Sequence, residues 1–257
     1  MKHSIYIASD TLTLLRRDKA FLPAIIISLF FGVFAVLAAD WGIEEFDRII
    51  LDIGKLCFQL TGGLIAIFWG VKSISDSRSE GSLEVQLSSP ISRVSWIFGK
   101  FLGVSSALVI LGYSMFVTWS VALYLGGYSW LSTDYLLVFT FQILSWIIVS
   151  SFAIFFSSFM SSATSMFSVL CTWIIASVSS SIVGTLTEDT NAVTRFIIEK
   201  TQSLLDLSHF IIGSIEVYKG LVLPSSDTLI YSGLYGLAVI SVLNGISMII
   251  FQKRDIF

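Results

Sequence analysis

The residues with most chemical content lie in one polar stretch, 76–100, which reads DSRSEGSLEVQLSSPISRVSWIFGK. Glu80 and Glu84 stand four apart, and so do Leu83 and Leu87, so on a helix each pair shares a face one turn apart. The two carboxylates fall near the start of that run, where the positive end of a helix field favours acids. Gly81 precedes the run, and the Ser-Ser-Pro at 88–90 breaks it. Ser89 can cap a following helix, and Pro90 suits its first turn, where no amide donor is needed. Arg93, Trp96 and Lys100 come next, and Trp96 and Lys100 are expected to anchor the following helix at a membrane interface. This pattern offers recognition, not bond making. A short helix presenting Leu83, Val85 and Leu87 to water requires something to cover it.

Groups for catalysis are scarce elsewhere. The only histidines, His3 and His209, are expected on opposite sides of a membrane, so no His/Cys/carboxylate cluster for a metal is predicted. Cys57 and Cys171 sit in apolar context without a CxxC and read as buried thiols. The five methionines are scattered, and no GxxxxGK[ST] phosphate loop occurs. No Asp, Glu, Lys, Arg or His stands near the middle of an apolar stretch, where ion-coupled transporters and voltage sensors keep ionisable groups. The chain is therefore expected to be neither an enzyme nor self-powered, and any driven work takes its energy from another chain. Small and hydroxylated residues are frequent instead, as in TGG at 61–63, SSFMSSATS at 157–165 and SVSSSIVG at 177–184. They serve helix–helix packing, or they line a weakly polar path or a dimer seam. The candidates for a path are Ser177, Ser179, Ser180, Ser181 and Asn244.

The elements that position these residues follow from composition. Of 257 residues, 55% are hydrophobic and 13% charged, with a mean hydropathy of +0.86. A soluble domain is nearer about a quarter charged. The net charge of −3, without a basic block, argues against nucleic acid binding. A helix needs about 20 apolar residues to cross a bilayer. Six stretches qualify, at about 21–39, 53–74, 97–125, 135–156, 165–184 and 228–251. AVLAAD, near position 39, resembles a cleavage site, but the polar prelude and the long apolar run favour an uncleaved span.

Ten of the 15 basic residues fall in the N-terminal segment, the 76–100 loop with its flanks, and the C-terminus. These three segments share one side if there are six spans, so both termini are expected in the cytoplasm. In the prelude, Ile5, Ala8, Leu12 and Leu15 recur at helical spacing ahead of Arg16, Arg17 and Lys19, which predicts an interfacial amphipathic helix. Between 185 and 227, Val193, Phe196, Ile197, Leu204, Leu207, Ile211 and Ile215 fall near a 3.6 period. This predicts an amphipathic helix on the outer face, acting as a shield or a gate. Pro224 ends it, and SSDT at 225–228 caps the last span.

The segment DSRSEGSLEVQLSSPISR, followed by FGK, resembles the cytosolic connection of ABC-2 family permeases, the transmembrane subunits of ATP-binding-cassette exporters. That connection reads acid-x-x-x-E-G-[ST]-L-x-x-L-L-[ST]-x-P-[IV]-[ST]-R with a following G-K; here Gln86 stands where Leu is commoner. FQKRDIF at the C-terminus is similar to the family ending, and LLRRDKAF to its elbow helix. The layout resembles most the small six-span permeases related to the nitrous-oxide-reductase maturation permease. The resemblance implies an all-α polytopic membrane protein of the ABC-2 (type V exporter-like) fold, with an interfacial N-terminal helix, in a bacterial inner membrane. It implies two copies of a cytosolic ATPase subunit carrying ATP and magnesium, and a second permease copy, identical or not. Glu80, Gly81, Leu83, Glu84, Leu87, Pro90 and Arg93 would form the ATPase-coupling site. The cargo stays open, and so does a mechanical role in which ATPase motion drives a periplasmic partner. A passive channel or scaffold is the remaining reading.

Overall fold

A computed structural model describes residues 2–39, 46–79, 92–127, 133–184, 207, 210, 212, 214–216 and 220–253. Seven helices and one small ribbon form it: α1 (Lys2–Arg16), α2 (Phe21–Ala39), α3 (Phe46–Ser79), α4 (Arg93–Leu125), α5 (Thr133–Ser157), α6 (Ser162–Gly184), β1 (Ser214–Glu216), β2 (Gly220–Val222) and α7 (Ser226–Lys253). Among the described residues, five helices (α2, α3, α4, α5 and α7) are long and apolar enough to cross a membrane. The fifth of the six expected spans is α6, whose described apolar stretch, Ser162–Ser177, is shorter. The fold is thus a polytopic helical bundle.

Small side chains set how closely the helices approach. The buried face of α2 consists of Ala24, Ser28, Gly32 and Ala35, and Ser28 Oγ donates to the Met115 carbonyl on α4 at 2.8 Å. The hub is α3. A methyl group on Gly54 would lie 2.6 Å from the Trp119 ring of α4. One on Gly62 would lie 2.0 Å from the Trp146 ring of α5, and one on Gly63 would lie 2.6 Å from the Trp173 ring of α6. Three helices thus each press an indole into a notch on α3, in the way small residues admit close contact within a bilayer. Around these notches Phe58, Phe116, Trp119, Phe139 and Trp146 form one aromatic cluster, with Phe58 and Phe139 centroids 4.4 Å apart.

Beyond α6 the chain turns back into the bundle. The Leu207 amide donates to the Ala176 carbonyl at 3.4 Å. Phe210 is buried and stacks on Tyr235 of α7, centroids 6.2 Å apart. Ile215 does not continue a helix. It pairs with Leu221 in the antiparallel ribbon β1–β2, which packs on α3, so ladder hydrogen bonds replace the predicted helix there. The rest of that predicted helix, including Val193, Phe196, Ile197, Leu204 and Ile211, lies outside the described residues. Ser225 caps α7 as expected, its Oγ accepting from the Thr228 amide at 3.4 Å.

The prelude is helical, but its buried face is rotated from the expected one. Ser4, Ile7, Thr11 and Leu15 are buried, while Ile5, Tyr6 and Leu14 are exposed. The reason lies on α4. Gly99 and Gly103 form a GxxxG notch, and a methyl group on them would lie 2.8 Å from the Ser4 carbonyl and 2.9 Å from the Ala8 carbonyl. Ile7 and Thr11 press their β-carbons into that notch, while Ile5, Tyr6 and Leu14 turn outward, as a lipid boundary permits.

Candidate functional site

Four pieces of chain converge at one end of the bundle: the α1–α2 turn, the last turns of α3, the first turns of α4 and the last turn of α7. The segment 80–91 joins α3 to α4 at this end. Glu80, Gly81, Leu83, Glu84, Leu87 and Pro90 lie outside the described residues, as does Ser89. The side chains of Ser179, Ser180 and Ser181 on α6 lie outside them as well. What the structure shows is how the two helices flanking that segment are held.

On the α3 side the tie is Asp18. Its Oδ1 accepts from the Ala20 amide at 2.9 Å and so caps α2. Its Oδ2 accepts from Lys72 Nζ of α3 at 2.5 Å. One carboxylate therefore fixes both the start of α2 and the end of α3. Burial pushes the Asp18 carboxyl up, but the Lys72 hydrogen bond, the Ala20 amide and the Lys72 charge outweigh it and hold the carboxyl below its ordinary value. Below this tie Phe21 stacks on Trp69 of α3, with centroids 6.3 Å apart. Lys72 Nζ also lies 5.3 Å from the Phe68 ring centroid.

On the α4 side the cap is Ser92, with the Ser95 amide donating to its Oγ at 3.2 Å, rather than the expected Ser89. The helix begins at Arg93, so the cap sits one residue before it. Arg93 Nη1 donates to the Gln252 carbonyl at 3.2 Å, satisfying an acceptor in the last turn of α7. Trp96 stacks on Phe251 at 5.3 Å with planes 10° apart. Trp96 is 0% exposed and Lys100 only 4%. Neither is the interface anchor expected: stacking on α7 draws the indole inward, and the Lys100 ammonium lies 5.4 Å from the Trp96 ring centroid. Through Gly99 and Gly103 the same stretch of α4 also seats α1. Sequence reasoning missed Asp18, Lys72 and the glycine pair. The GxxxG spacing in GKFLG was the available signal.

Of the residues considered for a path, Asn244 is buried on α7. Its Nδ2 donates to Ser151 Oγ of α5 at 3.3 Å and to the Ile240 carbonyl at 2.9 Å. Ser177 is half-buried on α6, beside the carbonyl that receives Leu207. The structure does not bring Ser177 and Asn244 into hydrogen-bond contact. Among the described residues no three His, Cys, Asp or Glu side chains gather as metal ligands.

The bundle of apolar helices, the elbow helix and the clamped ends of α3 and α4 define a multi-pass membrane component. A family model described as ABC-2 family transporter protein matches residues 6–256, and the chain belongs to that family. No curated protein matches it. Family membership places it with the transmembrane components of transporters that work with an ATP-binding-cassette ATPase.

Proposed function

We propose that this chain is the permease subunit of an ATP-binding-cassette transporter and couples ATP hydrolysis by a separate cytosolic ATPase to export or to work beyond the membrane. In this reading the basic end faces the cytoplasm of a bacterium, and two permease copies meet two ATPase subunits. Residues 80–90 seat in a groove on the ATPase, with Leu83 and Leu87 as apolar anchors and Glu80, Glu84 and Arg93 orienting them. The observation that carries the proposal is the clamp on both flanks of that segment. Lys72 ties α3 to the elbow, and Arg93 and Trp96 tie α4 to α7. Force applied at 80–91 therefore reaches four helices instead of dissipating in a loop.

The test is to co-express the chain with its ATPase and replace Leu83 and Leu87 by Asp. Co-purification and permease-stimulated ATP turnover are both expected to fall sharply. If both persist unchanged, the coupling role is wrong. A mechanical role, driving a periplasmic partner without moving cargo, draws support from the three indoles seated on α3, because they pass its motion to α4, α5 and α6. It also fits the resemblance to the nitrous-oxide-reductase maturation permease. ATP-dependent accumulation of cargo in sealed vesicles, with Ser177 and Asn244 as path residues, separates export from that role.

A further inference from the structure

A cleft of about 840 Å³ opens between α1, the α1–α2 turn and α3. Its charged lining comprises Arg17, Lys19, Lys72 and Lys100 together with Asp10, Asp18 and Asp76, with Lys72 and Asp18 paired to each other. Its mouth is apolar, formed by exposed Leu14 and Phe68. Phe68 is also the end of a ridge. Leu56, Leu60, Leu64 and Phe68 are all exposed and follow one another at four-residue steps along α3, and the same steps continue to Lys72 and Asp76. On a helix such steps trace one continuous row. An apolar track thus runs along the lipid-facing side of α3 and ends in a pocket bearing charges of both signs.

We infer that this cleft binds a phospholipid with a primary ammonium headgroup. The phosphodiester meets Arg17, Lys19 and Lys72, the ammonium meets Asp10 and Asp76, and an acyl chain lies along the Leu56–Phe68 ridge. The mixed charge suits a zwitterion better than a bare anion. The continuous ridge favours a lipid over a soluble partner, because a headgroup and a chain are then accommodated by one unbroken surface. The volume lies within the range of small-ligand pockets, about 300–1,000 Å³. The bound lipid would wedge the elbow helix against α3 beside the Asp18–Lys72 tie.

The test uses the full chain in phosphatidylcholine vesicles doped with a phosphatidylethanolamine bearing a photoreactive group near the headgroup end of its acyl chain. Crosslinks are expected to concentrate on peptides containing Leu14 and Phe68. Arg17→Glu with Lys19→Glu should lower them by about fivefold per charge, the scale of one basic residue at a lipid surface. Arg16→Glu, a neighbouring cation off the cleft, should leave them unchanged. Leu14→Trp fills the mouth from an exposed position without touching a charge, and it should lower them as well. Unlabelled phosphatidylethanolamine should compete, and inorganic phosphate and phosphatidylglycerol should not. Even labelling of all lipid-facing helices overturns the assignment. So does labelling that neither variant lowers, or equal competition by inorganic phosphate or phosphatidylglycerol.

Discussion

Asp18 does two jobs with two oxygens, and they can be separated. Asn at 18 keeps a capping oxygen for the Ala20 amide but loses the charge that holds Lys72, whereas Ala loses both. The cap is worth about 1 kcal/mol. The ion pair is worth about 1 kcal/mol or less, because Lys72 is 36% exposed and partly screened. Thermal unfolding of the purified chain should therefore rank wild type above Asp18→Asn, and Asp18→Asn above Asp18→Ala. The ion-pair share depends on pH in a fixed direction. The folded carboxyl titrates below the ordinary 3.8, so its contribution is complete above that value and disappears as pH falls through the lower folded value. The gap between wild type and Asp18→Asn should stay constant at neutral pH and close only in strong acid. A gap that closes near pH 6 would point to a histidine or another group instead.

The helices test the packing account at the next scale. Gly62→Ala forces a methyl group into the Trp146 ring, and overpacking of this kind costs about 1–3 kcal/mol. Adding Trp146→Phe should recover part of that loss, a non-additive pair. Gly245 on α7 has nothing within 4 Å of a would-be methyl. Gly245→Ala should leave the melting point unchanged or raise it, by about 0.5–1 kcal/mol in stability. Equal effects of Gly62→Ala and Gly245→Ala would contradict the notched-hub arrangement.

The same elements show what was legible in the chain. Long apolar runs and the Ser225 cap mark the helices well, since burial in lipid leaves the backbone no alternative to helix. Rotation about a helix axis was not legible. In α1 the rule that apolar residues face inward holds only in part, because lipid accepts Ile5, Tyr6 and Leu14 while the Gly99/Gly103 notch takes Ile7 and Thr11. Trp96 and Lys100 carry interface chemistry, yet Phe251, 155 positions after Trp96, takes the indole inward and the Lys100 ammonium lies over it. The proposed coupling segment is read from its motif alone and lies outside the described residues, whereas the Asp18–Lys72 tie joins residues 54 apart and has no local signature.

At the scale of the whole molecule, the proposed coupling runs through two long helices. The 34 residues of α3 and the 33 of α4 span about 50 Å each, well beyond the about 30 Å of hydrocarbon. Both are clamped at the end where 80–91 joins them, and both meet the indole-packed centre. A push at that end should therefore appear at the other. The most direct measurement places spin labels at Val121→Cys on α4 and Ile230→Cys on α7. Both positions are exposed and lie toward the end of the bundle away from the clamp. Cys57 and Cys171 are replaced by Ser, and the permease is assembled with its ATPase. The account predicts that ATP binding shifts the inter-label distance by several ångström and that Leu83→Asp with Leu87→Asp abolishes the shift. A distance that ignores ATP in the intact complex, or a shift that survives the double substitution, would contradict it.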